Sequence, residues 1–296
     1  MRNLIIIVVL LSLAFLIACE KVIPLNIEYR NPRLVVNSML MKDSLIKLDL
    51  SCSRIIIDNA EVKAVENASV KLYENGEFIE SLSETSSGIY QASYRAKSGY
   101  LYSFEIEATD YEPITCETRV PFAQPIIALD TSRGQGEYNE EVLQFRLKFA
   151  LDAQQKQFFM LRIKSDYYTD EDENNYYYYE NYVYLSSNDV IVESNGYDSG
   201  MLFFDRLINT DTYTITGSTQ SYFYDTVKLI FQLYYLDEAM YQYFVTRNNH
   251  MDAQGNPLME PVVVYSNVSS GMGVLGSASL GTDTIIYRPT MDNYYY

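Results

Sequence analysis

The chain has 296 residues and a formal net charge of −17, from 39 acidic and 22 basic side chains. That balance excludes nucleic acid as a partner, since its phosphates would be repelled, and it excludes adhesion to anionic lipid through charge alone. With one histidine and no Cys-x-x-Cys, no zinc centre or other cofactor is expected either.

Arg2 is followed by a fourteen-residue, almost wholly apolar run from Leu4 to Ile17. A bilayer span takes ~20 residues, whereas this run has the length of a signal-peptide core. It ends in Leu16-Ile17-Ala18-Cys19. That order resembles the lipobox of bacterial lipoproteins, in which the thiol is acylated and the chain is cut just before it. Residues 1–18 are therefore expected to be a signal peptide and Cys19 the lipidated first residue. Residues 19–32, with Pro24 and Pro32, then form a tether of at most ~40 Å. Two or three acyl chains, each worth about 0.8 kcal/mol per buried CH₂, would make the attachment durable. The expected address is the bacterial cell envelope, with the lipid-anchored chain on a periplasmic or a cell-surface face.

From residue 33 the pattern is β. Ile46, Leu48 and Leu50 alternate with Lys47 and Asp49, and Val70 and Leu72 flank Lys71. Asn75-Gly76 is a strong two-residue hairpin signal. Ser87-Gly88 and Lys97-Ser98-Gly99 mark further turns, Tyr100 to Ala108 alternates, and Ile114 to Val120 closes the unit before Pro121. Short strands at this spacing point to a β-sandwich over 33–121. Pro121 to Pro125 is a hinge, and residues 126–296 form a second antiparallel β-rich domain. Its strands are expected at Gln144 to Leu151, at Phe159 to Ile163 and at Tyr222 to Tyr235. Leu236, Met240, Tyr243 and Phe244 fall on one helical face behind Asp237, a good N-cap, which predicts one helix over 238–250. The fold class is thus mainly β, with one helix.

Cys52 and Cys116 are the remaining cysteines. In an oxidising compartment an even pair is a disulfide candidate worth roughly 4 kcal/mol; the alternative is two free, buried thiols.

Eight tyrosines fall between Tyr167 and Tyr184, around the acidic stretch Thr169 to Asn175. This reads as a long hairpin with a charged tip. Tyr176, Tyr178, Tyr182 and Tyr184 share one face of the returning strand. Together with Tyr167 and Tyr168 they form a candidate binding surface, because amphipathic rings favour interfaces. A glycan, a peptide or a partner protein would suit it; equally, the face is one that the same chain covers. The tip lacks the spacing of a calcium loop. Gly271-Met272-Gly273-Val274-Leu275-Gly276 matches G-x-G-x-x-G, but no strand–helix alternation surrounds it. Its glycines are expected to let the backbone bend or approach another strand. His250 is expected at the helix end, as a cap or surface group. No nucleophile-elbow sequence accompanies it, so the chain is not expected to be an enzyme.

Longer blocks carry a family resemblance. Asn67 to Gly76, Ser87 to Tyr90, Gly99 to Tyr102 and Ala108 to Tyr111 look like a carboxypeptidase-regulatory-like or immunoglobulin-like module, a non-catalytic sandwich. Taken with Cys19 to Ile23, Asn31 to Val36, Tyr241 to Tyr243, Pro257 to Pro261 and Tyr265 to Gly276, the whole chain resembles the Bacteroidetes outer-membrane lipoproteins grouped as domain of unknown function 4249 (DUF4249). Leu275 stands where an aromatic is expected. The resemblance implies an accessory or ligand-binding role beside an outer-membrane β-barrel transporter of the TonB-dependent type. A structural or adhesive surface role is the alternative.

Overall fold

Alternation of apolar and polar residues builds most of the strands, since each such strand buries one face. The fold is described from a computed structural model for residues 31–54, 61–135, 141–167, 179–182, 185–186, 192–194, 201–206, 211–220, 227–254 and 259–287. The first half contains β1 (Leu34–Met41), β2 (Leu45–Cys52), β3 (Ser69–Glu74), β4 (Glu77–Ser81), β5 (Ser83–Ser86), β6 (Ile89–Arg95), β7 (Leu101–Glu107) and β8 (Ile114–Arg119). The second contains β9 (Ile126–Gln135), β10 (Glu141–Ala150), β11 (Gln157–Tyr167), β12 (Tyr179–Tyr182), β13 (Leu185–Ser186), β14 (Val192–Ser194), β15 (Met201–Arg206), β16 (Thr212–Gln220), β17 (Val227–Leu236), helix α1 (Glu238–Gln254) and β18 (Met272–Tyr287). The fold is mainly β with one helix among the described residues, as the sequence pattern predicts. The Asn75-Gly76 turn takes positive φ at both positions, 50° and 87°, as a tight hairpin requires.

Three sheets result. The largest has ten strands and runs β14-β15-β11-β17-β18-β1-β2-β6-β5, with β12 beside β11. Two four-stranded sheets run β4-β3-β7-β8 and β13-β16-β10-β9. The first small sheet closes a core with β1, β2 and β6, around Ile46, Leu48, Leu72, Tyr102 and Phe104. The second closes another with β11, β15 and β17, around Phe149, Phe159, Phe204 and Phe231. Helix α1 covers the opposite face of the large sheet through Met240 and Tyr241, which pack with Phe158, Met160 and Phe203.

The hinge expected at Pro121 to Pro125 marks the passage from one core to the other. It does not interrupt the large sheet, and Pro32–Tyr296 form one compact unit. The reason is β18. Its first half pairs in parallel with β1, from Val35↔Met272 to Met41↔Ala278. Its second half pairs antiparallel with β17, from Leu236↔Ala278 to Val227↔Tyr287. One strand therefore serves both halves. It places Leu275 in the first core, Tyr287 in the second, and Val274 and Ala278 beneath the helix.

Candidate functional site

Among the described residues no strand pairs with the β17 side of β18 before Ala278, and its peptide groups need other partners. Asn267 supplies two of them. Its Nδ2 donates to the Leu275 carbonyl at 2.7 Å, and its Oδ1 accepts from the Leu275 amide at 3.0 Å. The same Nδ2 reaches the Glu117 carbonyl of β8 at 3.1 Å. Asp237 supplies the two at Ser277. Its amide donates to the Ser277 carbonyl at 3.0 Å, while its Oδ1 accepts from the Ser277 amide at 2.9 Å. Oδ1 also caps α1 by accepting from the Met240 amide at 3.1 Å. Oδ2 accepts from Thr118 Oγ1 of β8 at 2.7 Å, and Ser277 Oγ donates to the Arg119 carbonyl at 2.9 Å. Burial pushes the Asp237 carboxyl above its ordinary value of 3.8, against the pull of these donors. This junction ties both halves to β18. Asp237 was legible as a helix cap; its tie to Thr118, 119 residues earlier in the chain, was not.

The glycines of the 271–276 motif serve the same junction, as strand residues rather than a phosphate loop. Gly273 has φ +92°, and a Cβ there would overlap the Val36 carbonyl oxygen. A Cβ on Gly276 would lie 2.6 Å from Met240 Cβ. The motif continues into strand, not helix, so no helix N-terminus meets a pyrophosphate.

Cys52 and Cys116 do not form the bridge set out as one alternative; both are free thiols. Cys52 ends β2 in the large sheet, half-buried and hydrogen-bonded with the Tyr111 hydroxyl. Cys116 lies in β8 of the facing sheet, and burial pushes its thiol up to about 12. At that value the thiolate, which is the reactive form, is scarce at neutral pH.

His250 lies inside α1, which runs on to Gln254, four residues beyond the expected end. Its Nδ1 faces the Val262 carbonyl at 2.7 Å and its Nε2 the Gln254 amide nitrogen at 2.9 Å. A carbonyl can only accept, so Nδ1 carries the proton and Nε2 accepts from Gln254. The ring thus pins the segment after the helix instead of capping it.

Of the candidate tyrosine surface, Tyr168, Tyr176, Tyr178 and Tyr184 lie outside the described residues, as does Cys19. Tyr167 and Tyr182 are placed by their backbones alone. The hairpin pairs Tyr167↔Tyr179 through Lys164↔Tyr182. It does not continue as one long strand, since Leu185 pairs with Thr219 in the second small sheet and is buried there. Register also fixes which end of the fold this hairpin occupies. Tyr167 is opposite Val227, and Val227 is opposite Tyr287. Arg133, beside Gln135 at the end of β9, lies 5.6 Å from the Tyr287 ring. The ends of β9, β11, β17 and β18 thus gather at one far end. The chain enters β1 at the other, where Val35 is opposite Met272. The sixteen residues of β18 separate the two ends by roughly 50 Å, at about 3.3 Å per residue.

A second aromatic group escaped the sequence pattern because Glu74 and Phe122 join Tyr94, Lys97 and Tyr100 only in the fold. Lys97 Nζ sits 4.6 Å from the Tyr94 ring and 5.3 Å from the Tyr100 ring, and 3.8 Å from Glu74. A hydrogen bond to the Tyr94 hydroxyl is the main cause raising the lysine's pKa. Tyr100 and Phe122 leave 38% and 58% of their surface exposed. Flat apolar rings here stand beside hydrogen-bonding charges, a combination that can stack and orient a polar ring.

A family model described as domain of unknown function (DUF4249) matches residues 20–284. No match to the chain was found among curated proteins or among solved structures.

Proposed function

The chain belongs to the DUF4249 family, and from that premise we propose that it is a non-catalytic, lipid-anchored envelope protein, an accessory or ligand-binding partner of an outer-membrane β-barrel transport system. One observation carries the reading. The strands flanking the tyrosine-rich segment 168–178 end at the far end of the large sheet, opposite the entry of β1. A chain acylated on Cys19 and tethered through residues 20–32 would hold its entry end near the membrane. It would present the far end outward. In this reading the first half is an immunoglobulin-like spacer of the Bacteroidetes lipoprotein kind, and the tyrosines of the far end meet a protein, peptide or glycan.

The test is capture of partners from gently solubilised envelope, with wild type, Cys19→Ser and a deletion of 168–178. Wild type is expected to take up labelled palmitate and to co-purify with a β-barrel transporter. Cys19→Ser should lose the label, and the deletion should lose the barrel. Recovery of no barrel with wild type would sink the transport reading. The alignment of the large sheet's strands between the two ends favours a second reading, a structural or adhesive protein under tension. Disruption of the gene would then leave nutrient uptake normal and change attachment.

A further inference from the structure

The first and last described strands, β1 and β18, are neighbours, parallel, and central in the ten-stranded sheet. Consider tension that enters through the residues before β1 and leaves at the far end. It pulls β1 toward its own N-terminus and β18 toward its C-terminus. Because the two run in the same direction, this slides one past the other along their common axis. The seven register pairs from Val35↔Met272 to Met41↔Ala278 are then loaded together. No pair can open ahead of the rest, as pairs do when a hairpin is unzipped from its end.

The load next passes from β18 to β17. Their ten pairs, from Leu236↔Ala278 to Val227↔Tyr287, are also parallel to the pull. From β17 it reaches β11 through the ten pairs of Phe158↔Leu236 to Tyr167↔Val227. The strand β18 thus works as a splice, overlapped by β1 over its first half and by β17 over its second. Side chains lock the splice where the overlap changes over. Asn267 holds both peptide groups of Leu275, Asp237 holds both of Ser277, and Ser279 Oγ donates to the Pro121 carbonyl at 2.6 Å. Each must break before β18 can slide.

From this arrangement we propose a further function: the protein is a force-resisting link, in which β1, β18 and β17 carry tension between the membrane end and the far end in shear. Its setting rests on the anchored reading given above, but the mechanical property does not depend on lipid or on any partner.

Single-molecule force spectroscopy on residues 20–296, unlipidated and fitted with peptide handles, tests it. In the axial geometry the handles precede Pro24 and follow Tyr296. In the peeling geometry one handle precedes Pro24 and the other is inserted after Arg54, so that both act at the entry end and open β1 from β2 pair by pair. The first rupture force is expected to be several-fold higher in the axial geometry. Asn267→Ala is expected to lower the axial force and leave the peeling force unchanged. Equal rupture forces in the two geometries would overturn the proposal. Such a failure leaves the envelope capture result untouched, and a failed capture leaves the force ratio untouched.

Discussion

Asp237 caps a helix and closes a strand edge with one half-buried carboxylate. Replacing it with alanine removes a cap worth about 1 kcal/mol. It also leaves the Ser277 amide without its acceptor, at about 1–3 kcal/mol, while the Thr118 hydroxyl keeps Ser277 Oγ as an acceptor at 2.7 Å. Asp237→Ala is therefore expected to cost about 2–4 kcal/mol in a denaturant titration. Asp237→Asn keeps an oxygen for the two amides and turns its nitrogen toward Thr118, so its cost should be far smaller. The two variants also differ from wild type in pH dependence. The folded carboxyl is raised above its ordinary 3.8 by burial, so the ionised form is penalised in the fold. Its favourable contribution is present below 3.8 and lost as pH rises through the folded value. The melting temperature of Asp237→Asn minus that of wild type should accordingly increase from pH 3.5 to pH 7. A constant difference would mean that this carboxyl does not titrate differently in the fold.

At the scale of elements, β18 differs from its neighbours. The strands containing Ile46, Leu48 and Leu50, or Phe145, Leu147 and Phe149, were legible because one face is apolar and the other wet. So was α1, from its cap and its apolar stripe. No such alternation marks the first half of β18, whose residues Val274 to Ser279 are buried on both faces. Small residues stand there because other backbones and Met240 crowd them, and Ser277 and Ser279 are tolerated because their hydroxyls are bonded. A run of glycine and serine looks like a loop until its partner strands are known, and one of those partners is at the opposite end of the sequence. Gly273 is where this crowding is sharpest. Gly273→Ala combines a positive φ with overlap on Val36, and the expected loss is about 2–4 kcal/mol. Equilibrium unfolding checks it, and a loss under about 1 kcal/mol would show that β1 can shift away. Of the candidate site, the tyrosine clustering was legible by composition. Its position was not, because that depends on the pairing of β11, β17 and β18.

For the whole molecule, two halves were expected, and two cores are present, but each core borrows from the shared strand. The first includes Val268 and Leu275 from the second half. Residues 32–121 alone would lose those side chains and leave β1 with one bare edge, so this fragment is expected not to fold. Poorly dispersed amide resonances in its NMR spectrum would agree with this; a well-dispersed, cooperative fragment would not. The same pairing bears on how the chain reaches its native state. Val35 and Met272 are partners in register, yet they are 237 positions apart (272 − 35). Contacts that distant make folding slow, because a very large loop must close before the pairing is rewarded. Until β18 has been made and has arrived, β1 keeps one row of peptide groups open to any other chain. The interval between the two is the time in which this protein is most exposed to aggregation, and a chaperone that shields a single strand edge would be its most useful companion.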